Sequence, residues 1–447
     1  MFNGIKNIKT IKNPFLIFAP FLLLYIILII IFPTDGMGGD ESRYLTYSQY
    51  MINGFLPQNE AGFEILGNGP GYSITLIPFV ALHLPLIWIT IMNAVFYYFS
   101  IILLFNTLLK VASFRKALLL SLLWACYYNS YENILLILPE TFTAFLICLL
   151  IFSLTSAYNT EKSKKYIFLS GFVLGYIALT KPIYGYVILA MILVCGSMWV
   201  IKRKVPNYRK AIIISLIALT TTLPYLLYTY HLTNKIFYWS SLGGNNLYWM
   251  STHFEGEYGS WIPDPKLIPD TVSKDKHYSD LDKYLKSNRT AHISGYGEYV
   301  KLNHQKDFDE INKYKGVERD DAYERIALNN IKSHPIKFIQ NCVSNAGRML
   351  FNFPFSYKLQ STGTLLRLPL SGTIVVLGLF CLIPSFTNWK KIIFPIRFML
   401  LLAILYLGGS ILASAETRMF TVIVPILLFW IGFIIQKTIK INLKWKS

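Results

Sequence analysis

Acidic residues are scarce in this chain. Of 447 residues only 24 are Asp or Glu, against 42 Lys and Arg, and both signs together make up 15% of the total. A soluble protein that is 54% hydrophobic would leave large apolar patches facing water, so an ordinary soluble globule is excluded. Cysteine is sparse as well. Cys126, Cys148, Cys195, Cys342 and Cys381 form no C-x-x-C pair, which excludes a disulfide framework and a thiolate zinc site. Four of the five fall in apolar runs and act there as small apolar residues. The seven histidines include no H-E-x-x-H or comparable ligand spacing. A solenoid-type repeat is also lacking.

What the chain has in quantity is apolar sequence, in runs near twenty residues long, with a mean hydropathy of +0.44. Such runs match the roughly 30 Å hydrocarbon core of a bilayer. The formal charge of +18 would suit nucleic acid, but its distribution does not. Lys and Arg gather in short segments between apolar runs, as at Lys110, Arg115 and Lys116, at Lys202, Arg203 and Lys204, and at Lys390, Lys391 and Arg397. That is the positive-inside pattern of cytoplasmic loops. The reading is therefore a multi-pass protein of a plasma (inner) membrane, with no nucleic-acid partner. The first run is long for a signal peptide, and no small-x-small cleavage site follows it, so it reads as an uncleaved anchor. Usage rich in Lys, Asn and Ile hints at a low-GC bacterium.

Placing every basic cluster inside orients the chain. A first helix over about 14–33 leaves the cytoplasm and puts the 34–70 loop outside. A segment over 71–110 returns, broken near Pro78 and Pro85. Helices follow at about 115–130, 134–157, 165–180, 183–201 and 211–231. Residues 232–366 form a small mixed external domain, in which Pro335 separates two helices within 319–351. Helices near 367–385, 391–412 and 418–437 close the set. The expected architecture is all-α, with about ten crossings and three parts: 1–231, 232–366 and 367–447. Within the first loop, Tyr44, Tyr47, Met51 and Phe55 recur at helical steps. They predict a short amphipathic helix over 44–55 lying on the outer membrane surface.

Charges in unusual settings carry the chemistry. Asp40 and Glu41 stand in Thr34-Asp-Gly-Met-Gly-Gly-Asp-Glu-Ser-Arg-Tyr44, just past the first apolar run, with Arg43 and Tyr44 beside them. Asp40 is either an N-cap for the following helix or a general base at the membrane surface. Glu140, in Leu138-Pro-Glu-Thr-Phe142, lies near the outer end of a membrane helix, where an ionisable group usually faces a cavity. Lys181, in Leu179-Thr-Lys-Pro-Ile183, is a lone cation on the outer side. Such a point charge suits a phosphate. Glu416 and Arg418, in Ser414-Ala-Glu-Thr-Arg-Met-Phe420, fall at an outer turn. They form either a local ion pair or, through the Arg418 fork, a phosphate contact. All of these map to one leaflet. A carboxylate with cations at a lipid surface suits transfer from a lipid-linked phosphate. The acid takes the acceptor's proton and the cations stabilise the leaving phosphate. No motif demands a cofactor. A divalent metal on Asp40, Glu41 or Glu140 stays open.

Five stretches, in order, resemble the GT-C glycosyltransferases, in the branch of the protein O-mannosyltransferases and the lipid A aminoarabinose transferase. Gly39-Asp-Glu-Ser-Arg-Tyr44 is similar to that family's D-E-x-x-Y. Leu179-Thr-Lys181 follows the middle helices. Ser240-Ser-Leu-Gly-Gly-Asn-Asn-Leu247 resembles a Gly-Gly-x-Asn-Leu segment. Ala327-Leu-Asn-Asn-Ile-Lys-Ser-His-Pro335 resembles a helix ending in a His-Pro turn. Glu416-Thr-Arg-Met-Phe-x-x-x-x-Pro425 is similar to a late R-Y/F-x-x-x-x-P. The resemblance implies an inverting transferase with a polyprenyl-phosphate sugar donor and a glycan, lipid or protein acceptor. Asp40 would be the catalytic carboxylate. Glu140 and Lys181 would match cavity residues facing the donor phosphate and acceptor, and Arg418 a further phosphate contact. Glu41, Arg43, Tyr44 and Glu416 complete the candidate substrate- and donor-binding set. One departure is plain: where many relatives carry Lys-Pro-Pro in the first loop, Gly67-Asn-Gly-Pro-Gly71 stands here. Two other readings remain: a polymerase or ligase using a lipid-diphosphate donor, and a flippase for a lipid-linked sugar. A flippase predicts polar residues at the bilayer midplane and inverted repeats, and neither is seen.

Overall fold

The computed structural model describes residues 13–36, 40–54, 66–159, 163–202, 205–262, 296–358 and 362–438. Among these the chain is helical and forms no strand. Gly39, Phe55 and residues 263–295 of the expected external domain lie outside the described residues.

The first bundle runs α1 (Pro14–Ile31), α2 (Glu41–Ile52), α3 (Pro70–Ala81), α4 (Ile87–Leu108), α5 (Phe114–Ala125), α6 (Tyr128–Leu135), α7 (Glu140–Asn159), α8 (Ser163–Thr180), α9 (Ile183–Ile201) and α10 (Pro206–Thr233). A second group holds α11 (Gly243–Met250), α12 (Tyr296–Ile311), α13 (Gly316–Ser333) and α14 (Pro335–Phe351). The chain then returns through α15 (Thr362–Thr387), α16 (Phe394–Ala413), α17 (Thr417–Thr421) and α18 (Val424–Thr438). Among the described residues seven helices are long and apolar enough to cross a bilayer: α1, α4, α7, α9, α10, the Arg367–Thr387 part of α15, and α16. The protein is a multi-pass membrane protein. At 12 residues, α3 is only about 18 Å long, too short to cross alone.

Proline and its neighbours set the helix breaks that apolar periodicity does not show. The expected 134–157 helix is two elements: α6 ends at Leu135, Leu136 is extended, and α7 starts at Glu140. The residue before Pro139 is disfavoured in helical conformation, and the proline nitrogen has no proton to donate. The expected 115–130 helix likewise ends at Ala125. Pro78 lies inside α3, and the break after it falls at residues 82–86, where His83 takes a left-handed φ of 50°.

Packing then fixes the site's frame. Helix α2 begins at Glu41, three residues before the expected start. Its buried face, Glu41, Tyr44, Tyr47 and Ser48, is turned to protein. Ser48 Oγ donates to Ser73 O of α3 at 2.8 Å, and Ser73 Oγ donates to Tyr44 O at 3.1 Å. In α8, Gly171 and Gly175 lie one turn apart. A Cβ on Gly175 would stand 2.6 Å from Ala218 O of α10, so the pair lets two apolar helices approach backbone to backbone. In α14, Asn345 and Arg348 share a face. Asn345 Nδ2 donates to Ile411 O at 2.8 Å, and Arg348 Nε to Ala415 O at 3.0 Å. Asn345 satisfies a carbonyl that the last turn of α16 leaves open, Arg348 one just past its end, and together they fix the turn that carries Glu416 and Arg418.

Candidate functional site

Asp40 occupies the N-cap position of α2, yet its side chain makes no cap hydrogen bond. The carboxylate turns instead toward cations. Arg418 Nη1 donates to Asp40 Oδ2 at 3.0 Å, and Arg43 Nη1 donates to Asp40 Oδ1 at 3.2 Å. Burial alone would raise the pKa of this carboxyl. The Arg418 charge, then Arg43, the hydrogen bond from Arg418 and the more distant Lys181 outweigh burial and hold it below the ordinary value.

Glu140 is the first residue of α7, and its side chain is 1% exposed. At that position the unpaired amides of the first turn favour an anion. Its Oε1 accepts from Lys181 Nζ at 2.9 Å and lies 3.9 Å from Arg418 Nε. Its Oε2 has no hydrogen-bond partner among the described residues. Glu416 pairs with Arg418 Nε at 2.9 Å. The local Glu416–Arg418 pair therefore exists, and Arg418 reaches Asp40 as well. One guanidinium sits among three carboxylates, with Lys181 and Arg43 on the outer sides.

Glu41 goes elsewhere. Its Oε1 accepts from Thr34 Oγ1 at 2.8 Å and from the Ile137 N–H at 2.7 Å. That amide is freed by the break between α6 and α7. Glu41 thus joins the first loop to the start of α7 and positions Asp40 and Glu140 relative to each other. Tyr44 is buried, with its ring edge-on to Tyr72 at 5.3 Å. It lies close enough to Asp40 and Glu140 to feel both charges.

Residues 67–71 place Lys181. A Cβ on Gly69 would stand 2.1 Å from Leu179 O, and one on Gly71 would stand 2.5 Å from Thr180 Oγ1. Only glycine allows the first loop to lie this close to the turn before Lys181. Gly69→Ala is expected to destabilise the protein by about 1–3 kcal/mol, as overpacking against fixed backbone does. A melting curve in detergent, indistinguishable from wild type, would contradict this packing.

Sequence reasoning passed over Tyr184 and Tyr406. The two rings stack at 4.4 Å, both fully within the protein, and Tyr406 senses Glu140 and Arg418. Tyr184 lies three residues after Lys181, one helical step away, which was the available signal. The Glu132–Arg367 pair, at 2.5 Å, was also missed: Arg367 stands in an apolar stretch, but Glu132 is set among Asn129, Ser130, Tyr131 and Asn133. Among the described residues no group of three or more His, Cys, Asp or Glu is placed to hold a metal ion. The Asp40, Glu140 and Glu416 carboxylates face Arg418 instead.

A scan of family models gives no match to the chain, and a search of curated proteins also gives none. Among solved structures, the crystal structure of ArnT from Cupriavidus metallidurans bound to undecaprenyl phosphate is similar at 11% identity and a TM-score of 0.40, covering 94% of this chain and 77% of that one. The same protein in the apo state is similar at 11% identity and a TM-score of 0.38, covering 94% and 78%.

Proposed function

We propose that this protein is a membrane glycosyltransferase that moves a sugar from a polyprenyl-phosphate donor to an acceptor hydroxyl on the external face. One observation carries the reading. Asp40, Glu140, Lys181 and Arg418 come from four separate stretches of the chain: Asp40 and Glu140 meet the Arg418 guanidinium, and Lys181 joins the cluster through Glu140. The sequence resemblance supports it independently. The basic loops support the sidedness, since they place this end of the bundle away from the cytoplasm.

The mechanism follows from the charges. The donor's phosphate competes with the carboxylates for Arg418 and Lys181. As Arg418 swings to the phosphate, Asp40 loses the cation that most depresses its pKa and becomes a better base. Asp40 takes the acceptor O–H proton, and the acceptor oxygen bonds to the anomeric carbon. The bond from that carbon to the phosphate oxygen breaks, its electron pair leaving on polyprenyl phosphate. Lys181 and Arg418 stabilise that leaving charge. The acceptor is a glycan, a lipid or a protein.

A pH profile tests the coupling. In the free enzyme Asp40 is depressed, so its base form is present above that low pKa and is lost only as pH falls through it. The profile of kcat/KM reports this free state, and that of kcat reports the donor complex. The acid limb of kcat is expected at higher pH than the acid limb of kcat/KM. Coincident or reversed limbs would contradict the exchange of Arg418.

The reading itself is tested by giving purified protein two donors of the same sugar, undecaprenyl-monophosphate-linked and undecaprenyl-diphosphate-linked. Release of undecaprenyl phosphate from the first alone supports it. Turnover of only the second would replace it with the polymerase or ligase reading.

A further inference from the structure

A second polar face lies beside the Asp40 cluster. On α6, Asn129, Glu132 and Asn133 stand at i, i+3 and i+4 and share one side of the helix. On α15, Arg367 and Ser371 stand one turn apart. The two faces meet. Arg367 Nη2 donates to Glu132 Oε1 at 2.7 Å, the Tyr127 hydroxyl pairs with Ser371 Oγ at 2.8 Å, and Asn129 Nδ2 donates to Tyr127 OH at 3.3 Å. Helix α17, which carries Arg418, packs against α6. The second face is therefore continuous with the candidate active site.

This face is not a closed structural network. Asn129 and Asn133 are 5% and 6% exposed, yet Asn129 Oδ1 and Asn133 Nδ2 have no hydrogen-bond partner among the described residues. Arg367 Nε is likewise buried without one. Buried amides are normally paired, and polar side chains that join helices usually satisfy one another. Here an acceptor and two donors are left open, while the rim opens to solvent through Glu132, whose side chain is 41% exposed. A carboxamide acceptor, a carboxamide donor, a carboxylate and a guanidinium on one wall match neighbouring hydroxyls, each of which donates and accepts.

Building on the proposed transferase activity, we propose that the α6–α15 face is a sugar-binding subsite in which Asn129, Asn133, Glu132 and Arg367 hold the vicinal hydroxyls of a glycosyl ring. The ring belongs either to the donor or to the acceptor, and the test separates the two. Asn133→Leu keeps the side-chain size and removes the open donor. Glu132→Gln, at the exposed rim, keeps the shape and carries the test if the buried variant does not fold. Full-length protein in nanodiscs is titrated with undecaprenyl-phosphate glucose and with undecaprenyl phosphate alone. Transfer to the envelope glycan fraction of the source cell is measured in parallel. For a donor subsite, the variants lose at least about tenfold of the preference for the sugar-bearing lipid. For an acceptor subsite, that preference stays and the acceptor KM rises at least about tenfold, with kcat unchanged. In both cases the melting temperature of Asn133→Leu holds or rises, because an open polar atom has been removed from a buried place. Variants that match wild type in preference and in KM, while wild type transfers sugar, overturn the subsite alone. A wild-type protein that neither prefers the sugar-bearing lipid nor releases undecaprenyl phosphate overturns the transferase reading, and the subsite with it.

Discussion

Asp40→Asn is expected to abolish sugar transfer and leave the protein folded. Asparagine has nearly the same shape as aspartate, and its Oδ1 can still accept from Arg418, which donates to Asp40 Oδ2 in the native protein. The side chain makes no cap hydrogen bond that the helix would lose, so α2 does not depend on its charge. What is lost is the proton acceptor. General-base catalysis contributes about 10²–10⁴-fold, so release of undecaprenyl phosphate in the presence of acceptor is expected to fall by at least about a hundredfold. The melting transition is expected to shift little, because Glu416 still neutralises Arg418 from the other side. Transfer within tenfold of wild type by a folded Asp40→Asn protein would remove Asp40 from the chemistry.

The second large effect is expected at Arg418. It touches Asp40 and Glu416 and approaches Glu140. Lysine keeps the charge but has a single ammonium in place of the planar fork, and cannot serve several carboxylates and a phosphate from one position. Arg418→Lys is expected to cost about 10²–10³-fold in kcat, the scale of one lost electrostatic contact to a developing charge. Arg418→Ala adds a stability loss. Removing one partner of a fully buried pair costs about 3–5 kcal/mol. The Arg418 side chain is 29% exposed, so the loss here is expected below that range. Measuring kcat and melting together separates the two substitutions. If Arg418→Lys keeps full activity, the guanidinium is only a structural clamp.

How much of this was legible in the sequence depends on the kind of signal. A charge in an apolar setting announces itself without neighbours, so Asp40, Glu140, Lys181 and Arg418 all stand out in the sequence. Which acid meets which cation does not. Asp40 and Arg418 are 378 positions apart, and their pairing arises only when α14 holds the turn after α16 through Asn345 and Arg348. Glu41 shows the same limit from the other side. Its type and place equal those of Asp40, yet one residue of helical rotation turns it to the Ile137 amide. Long helices were readable from hydropathy, whereas the gap between α6 and α7 was not, since apolar side chains continue across it. Pro139 was the available sign. The glycines at 67–71, read first as a departure from the resembled pattern, are where the first loop meets the backbone before Lys181.

The central claim is that the Asp40–Arg418 cluster transfers a sugar at the cell envelope. Mass spectrometry of envelope glycans tests it most directly, in cells with the gene deleted and then restored as wild type or as Asp40→Asn. The expected result is that deletion removes one glycosyl substituent, that wild type restores it, and that Asp40→Asn, present in the membrane at equal level, does not. An Asp40→Asn protein that restores the same glycan in full would contradict the account.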